Sequence, residues 1–184
     1  MLALAFHVDY WNYTGRIDPF ANPMFSNRQR KYSERFGLVY LASPYFVVDG
    51  RWQSEGSNSL PIRDFLNSKK EITLSEPDIE LADVREDLIR IYVGPSPIRK
   101  SADVFVVHFD RRRSTTMKLG DIGELLVESF NVVRSLVSVA VYVGEPIEIF
   151  LPVSFDGDRP DFTGLFVQEF DQGSILTAAL LRRN

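Results

Sequence analysis

The chain has no cysteine. That absence excludes disulfides, thiolate metal ligands and a thiol nucleophile within it, and leaves its redox compartment unmarked. Histidine is nearly absent too, with only His7 and His108. Zinc sites draw on three or four protein ligands, so two histidines far apart in sequence do not announce one. There is no large excess of charge of either sign. The formal net charge is −4, from 21 basic and 25 acidic residues spread along the chain. Such a balance gives no footprint for nucleic acid. The single basic run, Arg111, Arg112 and Arg113, reads as a solvated hairpin turn. No window approaches the ~20 apolar residues of a membrane-spanning helix. The longest apolar stretch, 137–143, is broken by Ser138 and reads as a strand. Residues 1–6 lack the basic start and small-residue cleavage site of a signal peptide, which points to the cytoplasm. No phosphate-cradling glycine loop and no nucleophile-elbow motif occurs.

What is present is a soluble-type composition, 45% hydrophobic over 184 residues, enough for one sizeable domain or two small ones. The pattern changes near residues 68–75. Before that point strands alternate with helical segments, and after it nearly everything reads as strand. Residues 2–8 are apolar on both faces and predict a strand buried on both sides. A long irregular loop follows, marked by Thr14-Gly15, Pro19 and Pro23. Residues 24–36 predict a helix with a stripe of Phe25, Gln29, Tyr32 and Phe36, flanked by Arg28, Lys31 and Arg35, and stopped at Gly37. Residues 38–41 and 45–48 read as strands. Asp49-Gly50 signals a hairpin into Trp52. Asn58 or Ser59 suits the cap of a helix reaching residue 67. Strands are predicted at 79–82, 88–93, 104–109, 125–133, 137–143, 147–151, 165–170 and 175–181. Turns fall at 94–95, 111–114, 144–146, 156–158 and 171–173. Short strands with regular turns predict an antiparallel sandwich or open barrel.

Chemistry is carried by few residues. His7 and Asp9 lie at i and i+2, so a strand turns both to one face. They could act as an acid–base pair or as two metal ligands, joined in a hydrolase reading by Asp49. Equally, His7 could be a hydrogen-bonded histidine at a strand end, with Asp9 capping the next loop. Tyr10, Trp11, Tyr13, Phe20 and Tyr45 could line a ligand cleft beyond the strand ends, or form a small core beneath the long loop.

The segments FHVDYWNY, DPFANP, RQRKY and SPYFVVDG, with the weaker GDIGELLVESFNVVR and VQEFDQGSILTAALL, resemble the domain-of-unknown-function family 1223, a bacterial thioredoxin-like family. The resemblance implies a thioredoxin-like α/β half over residues 1–70 and an antiparallel β-rich half over residues 71–184. It implies that Pro44, after Ser43, is the cis-proline beside a thioredoxin-type site, where an exposed backbone edge can take an extended peptide. Members carry a Cys-x-x-Cys-like strand and helix ahead of the segment that begins here, and this chain has neither. Residues 120–124, where the family favours an asparagine and a basic residue, hold Asp121, Ile122 and Glu124.

The sequence therefore implies a non-catalytic binding or structural module with no cofactor and no metal. Its candidate cleft is His7, Asp9, Tyr10, Trp11, Ser43, Pro44 and Tyr45, and its partner would be a peptide or protein at the Pro44 loop. The rival is a fragment of a thiol–disulfide oxidoreductase-like envelope protein without its active-site segment. Losing a central strand leaves two inner sheet edges. The expectation is that residues 2–8 close against residues 45–48, or that the edge self-associates, or that the natural protein is longer.

Overall fold

The computed structural model of the chain describes residues 2–14, 17–56, 60–68, 77–85, 87–97, 100–118, 123–155 and 157–181. Gly15, the proposed cap at Asn58 or Ser59, the junction at residues 69–75, Asp156 and most of the 120–124 loop lie outside the described residues.

Two antiparallel sheets dominate. One has three strands, β3 (Ile79–Arg85), β4 (Leu88–Val93) and β7 (Ile147–Pro152), in the order β3-β4-β7. The other has four, β5 (Ala102–Lys118), β6 (Glu124–Tyr142), β8 (Phe162–Glu169) and β9 (Ile175–Leu180), in the order β6-β5-β8-β9. A separate hairpin pairs β1 (Tyr45–Val48) with β2 (Trp52–Glu55). Helices α1 (Pro23–Arg35) and α2 (Leu60–Ser68) and a short 3-10 turn (Asn12–Thr14) complete the described elements. The predominance of antiparallel sheet agrees with the sequence pattern.

Alternation in β4 turns Ile89, Ile91 and Val93 inward. They meet Ala102, Val104 and Val106 of β5, Leu165 and Val167 of β8, and Tyr142, so a first core fills the space between the sheets. Outside, Arg90 spans its neighbours, with Nε to Glu148 at 2.6 Å and Nη1 to Glu80 at 2.9 Å. The opposite face of β5 carries Phe105, Val107 and Phe109. These pack with Phe25 of α1, Val133 and Leu136 of β6, Phe166 of β8, and Leu2, Leu4 and Phe6 of the N-terminal segment. The middle of the four-stranded sheet, β5 over residues 102–109 with β8, is thus buried on both faces, which is why residues 102–109 read as a near-continuous apolar run.

Three expectations are corrected here. Residues 2–8 form no regular strand. Ala5 makes one parallel bridge to Val132, with its N–H on Asn131 O at 2.8 Å and its C=O taking Val133 N–H at 2.9 Å. The edge is therefore met by β6 and not by residues 45–48, and among the described residues β1 pairs with β2 alone. Asn131 at φ 53 bends β6 locally, in a conformation asparagine tolerates. Gly164 clears the way for the segment, since a Cβ there would sit 3.0 Å from Val107 Cγ1 and 3.2 Å from Leu2 Cδ2. Second, residues 38–41 are not a strand; Val39 is 94% exposed, and no strand among the described residues pairs with it. Third, the basic run at 111–113 is no turn. β5 and β6 continue through it as a two-stranded arm beyond the end of β8, up to the Lys118–Glu124 pair.

The root of that arm explains why the run is ordered. Asp110 is buried and accepts from Arg113 Nε at 2.6 Å, Arg134 Nη1 at 2.9 Å and Asp161 N–H at 3.2 Å. Arg112 pairs across the arm with Glu128. Burial alone would raise the pKa of Asp110, but the hydrogen bonds from Arg113, Arg134 and the Asp161 amide outweigh it, and the carboxyl is held below its ordinary value. A depressed folded pKa stabilises the fold above the unfolded value of about 3.9, and that stability is lost as pH falls through the folded value. Asp110→Asn is expected to cost about 2 kcal/mol at pH 7, because Arg113 and Arg134 are partly exposed and can turn to water. Urea unfolding at pH 7 and pH 3 checks this: the gap between variant and wild type should shrink at low pH.

Candidate functional site

The candidate residues fall on the loops that lead into and out of α1. Asn22 caps that helix, its Oδ1 taking Met24 N–H at 2.9 Å, and Pro23 occupies the first turn, where its missing N–H costs nothing. Asp9 is fastened one turn further in. Its amide donates to Ser26 Oγ at 3.0 Å, and the Ser26 hydroxyl donates to Asp9 Oδ1 at 2.5 Å. A carboxylate at the start of a helix also suits the helix dipole. His7 contacts Asp18 Oδ2 through Nδ1 at 2.6 Å, lies edge-on to Phe20, and receives Asn22 N–H on its C=O at 3.2 Å.

His7 and Asp9 therefore serve different partners, His7 across the loop and Asp9 on the helix. Among the described residues no group of three or more His, Asp or Glu side chains is placed to hold a metal ion. Nor is any described helix long and apolar enough to cross a membrane.

The Pro44 loop is held from below. Ala42 C=O accepts from Tyr10 OH at 3.2 Å and from Gln29 Nε2 at 2.6 Å. The Ser43–Pro44 peptide is cis, and both residues are exposed. Trp11 stands beside Tyr10, ring centroids 5.8 Å apart, and is half exposed. Tyr45 begins β1 half-buried. Burial, with Tyr32 and Glu55 nearby, pushes its hydroxyl up to about 12, so it is a neutral donor at any ordinary pH. Its oxygen has no hydrogen-bond partner among the described residues. The structure thus joins Tyr10 to the Pro44 loop through one carbonyl, with Trp11 and Tyr45 flanking, and anchors His7 and Asp9 around the start of α1.

The group that the sequence reading passed over is Arg28. Its guanidinium lies 5.3–5.6 Å from the ring centroids of Phe6, Tyr32, Phe105 and Phe166. It donates to Gln168 Oε1 at 2.6 Å and to Tyr32 OH at 3.3 Å. Gln168 is buried and donates in turn to Tyr32 OH at 2.7 Å and Gly173 O at 2.9 Å. Burial pushes the arginine pKa below its ordinary value, while Tyr32 and Asp103 hold it up. The signal lay in the spacing: Arg28 is three residues after Phe25 and four before Tyr32, on the inward stripe itself.

Comparison with known proteins bears on the fold and family. The family model described as "Protein of unknown function (DUF1223)" matches residues 1–168. A crystal structure of a protein from Agrobacterium tumefaciens superposes with a TM-score of 0.74 at 22% identity, covering 98% of this chain and 80% of that one. At that identity the likeness is one of fold. No curated protein matches the chain in sequence.

Ser26 is wholly buried and makes both bonds to Asp9. Ser26→Ala is expected to destabilise the protein by about 1–3 kcal/mol, since the buried-side carboxylate loses its donor. Ser26→Thr, which keeps the hydroxyl, should recover part of that loss. Equilibrium urea unfolding of the two variants is the measurement.

Proposed function

The chain belongs to the DUF1223 family of proteins of unknown function, and on that premise we propose that it is a binding module without enzymatic chemistry of its own. Its ligand is an extended peptide segment, which adds as a strand to the outer edge of β1 beside Pro44. In this reading residues 1–70 descend from a thioredoxin-like unit and residues 71–184 are the added β-rich half. The boundary is one of ancestry, since α1 packs on the sheet of the second half. The order helix, Pro44 loop, β1–β2 hairpin and helix α2 supports the thioredoxin-like assignment. So does the stacking of Trp52 on Phe65, which docks α2 on the hairpin with centroids 4.8 Å apart. A redox pair needs a thiolate, and no cysteine is present.

One observation carries the peptide reading: among the described residues, β1 is paired on one side only. Gly56 N–H bonds Pro44 C=O at 2.9 Å, which sets the phase of the ladder. Counting from that bond, Phe46 and Val48 exchange bonds with Ser54 and Trp52, and Tyr45 and Val47 turn their N–H and C=O groups to the open edge. The far end of the hairpin is fixed by Asp49 C=O on Ile175 N–H at 2.9 Å. Gly50 permits this contact: it sits at φ 67, and a Cβ there would lie 2.0 Å from Gly173 O. A rigid, half-paired strand with its phase fixed is what strand addition requires.

Val47→Pro removes one outward N–H and spares the β2 ladder, because proline is tolerated on the solvent side of an edge strand. Peptides of about ten residues selected on the wild-type protein from a random library should bind Val47→Pro at least ~10-fold more weakly and Val47→Ala nearly unchanged. Equal binding to all three proteins, or a library that yields no binder, contradicts the proposal.

A further inference from the structure

We propose that the two loops flanking α1 form a docking surface for an anionic phospholipid bilayer. The inference stands apart from the peptide edge and uses other side chains. The first loop follows Asp9 and is closed by Asp18 N–H on Asn12 Oδ1 at 3.1 Å. It presents Trp11, Tyr13 and Ile17, which are 50%, 82% and 70% exposed. The second loop leaves α1 and presents Val39 and Tyr40, 94% and 57% exposed. The two are tied side by side, because Tyr10 of the first and Gln29 of α1 both donate to the Ala42 carbonyl of the second.

Five large apolar or aromatic side chains on two joined loops are more than the scattered exposure a soluble surface normally shows. Their chemistry fits a bilayer. Tryptophan and tyrosine settle at headgroup level, with the ring in apolar surroundings and the polar edge wet, and isoleucine and valine reach below.

Charge supports the same partner. The solvent face of α1 carries Arg30, Lys31 and Arg35, all exposed, against Glu34. After Gly37 the chain folds back, with Leu38 N–H on Ser33 O at 2.8 Å, which brings Val39 and Tyr40 up beside the last turn of the helix. Asp9 and Asp18 at the base of the first loop and Glu55 oppose this bias, each engaged within the protein: Asp9 by Ser26 Oγ at 2.5 Å, Asp18 by His7 Nδ1 at 2.6 Å and Glu55 by Tyr40 OH at 2.8 Å. A basic rim behind an apolar tip, on a chain whose net charge is −4, matches an anionic headgroup layer.

The test uses the full chain with two vesicle types, phosphatidylcholine alone and phosphatidylcholine with about 30% phosphatidylglycerol. Co-sedimentation and a blue shift of tryptophan emission are the readouts. Binding is expected to be at least ~5-fold stronger to the anionic vesicles. It should fall by at least ~5-fold in Tyr13→Ser/Val39→Ser, whose side chains are too exposed to matter for folding, and by a similar factor in Lys31→Glu/Arg35→Glu. The proposal is overturned by no binding to either vesicle, or by unchanged binding in the Tyr13/Val39 variant. It is equally overturned if the wild type ignores vesicles but forms a concentration-dependent dimer that the same variant abolishes, because the patch would then be a protein interface.

Discussion

A buried guanidinium ties helix α1 to the β-sandwich. Arg28 reaches from the helix across the face of the four-stranded sheet, and its plane is enclosed by rings from four separate places in the chain: Phe6, Tyr32, Phe105 and Phe166. Taking a cation out of water is costly unless its donors and its charge are met. Here Gln168 and Tyr32 accept its hydrogens and the ring faces supply negative potential. No carboxylate lies within ion-pair distance among the described residues, although Asp103 is near enough to favour the charge. Because Gln168 also bonds Gly173, the same network fixes the β8–β9 turn on which the β1–β2 hairpin rests. Both loops beside α1, and the Pro44 loop through Gln29, take their positions from a helix held in this way.

The outer half of the molecule was the legible part of the fold. Alternation in β4 and β7 and the turn residues between strands mark an antiparallel sandwich or open barrel from the sequence, because each strand there has one dry face and one wet face. The central strands were harder. β5 is dry on both faces over residues 102–109, and then runs on through three arginines that composition assigns to a turn. What makes that run a strand is Asp110, a partner whose burial no local pattern reveals. The N-terminal segment departs from the expected strand for a related reason. Its two-faced apolar pattern is satisfied by packing on the sheet through Leu2, Leu4 and Phe6, and a single bridge through Ala5 replaces a full ladder.

For the site, the sequence indicated the neighbourhood but not the connections. Tyr10 and Trp11 do stand by the Pro44 loop. His7 and Asp9, adjacent in pattern, were divided between Asp18 and Ser26, partners 11 and 17 residues away. Arg28 reads as a flank residue because charge normally means solvent, whereas half of its cage, Phe105 of β5 and Phe166 of β8, comes from far along the chain. Gln168, 140 residues from Arg28, carries no signal that could have joined them. Long-range polar pairing of this kind depends on tertiary placement alone, so periodicity can locate the stripe but not what faces it.

The claim that most of this rests on is the coupling between Arg28 and Gln168. A double-mutant cycle with Arg28→Met and Gln168→Leu, read by equilibrium unfolding in urea, measures it directly. Each single change should be strongly destabilising and the pair less so than their sum, with a coupling of about 1–3 kcal/mol. Additivity within about 0.5 kcal/mol, or single variants as stable as the wild type, would mean that the helix is held to the sheet by apolar packing alone and would contradict it.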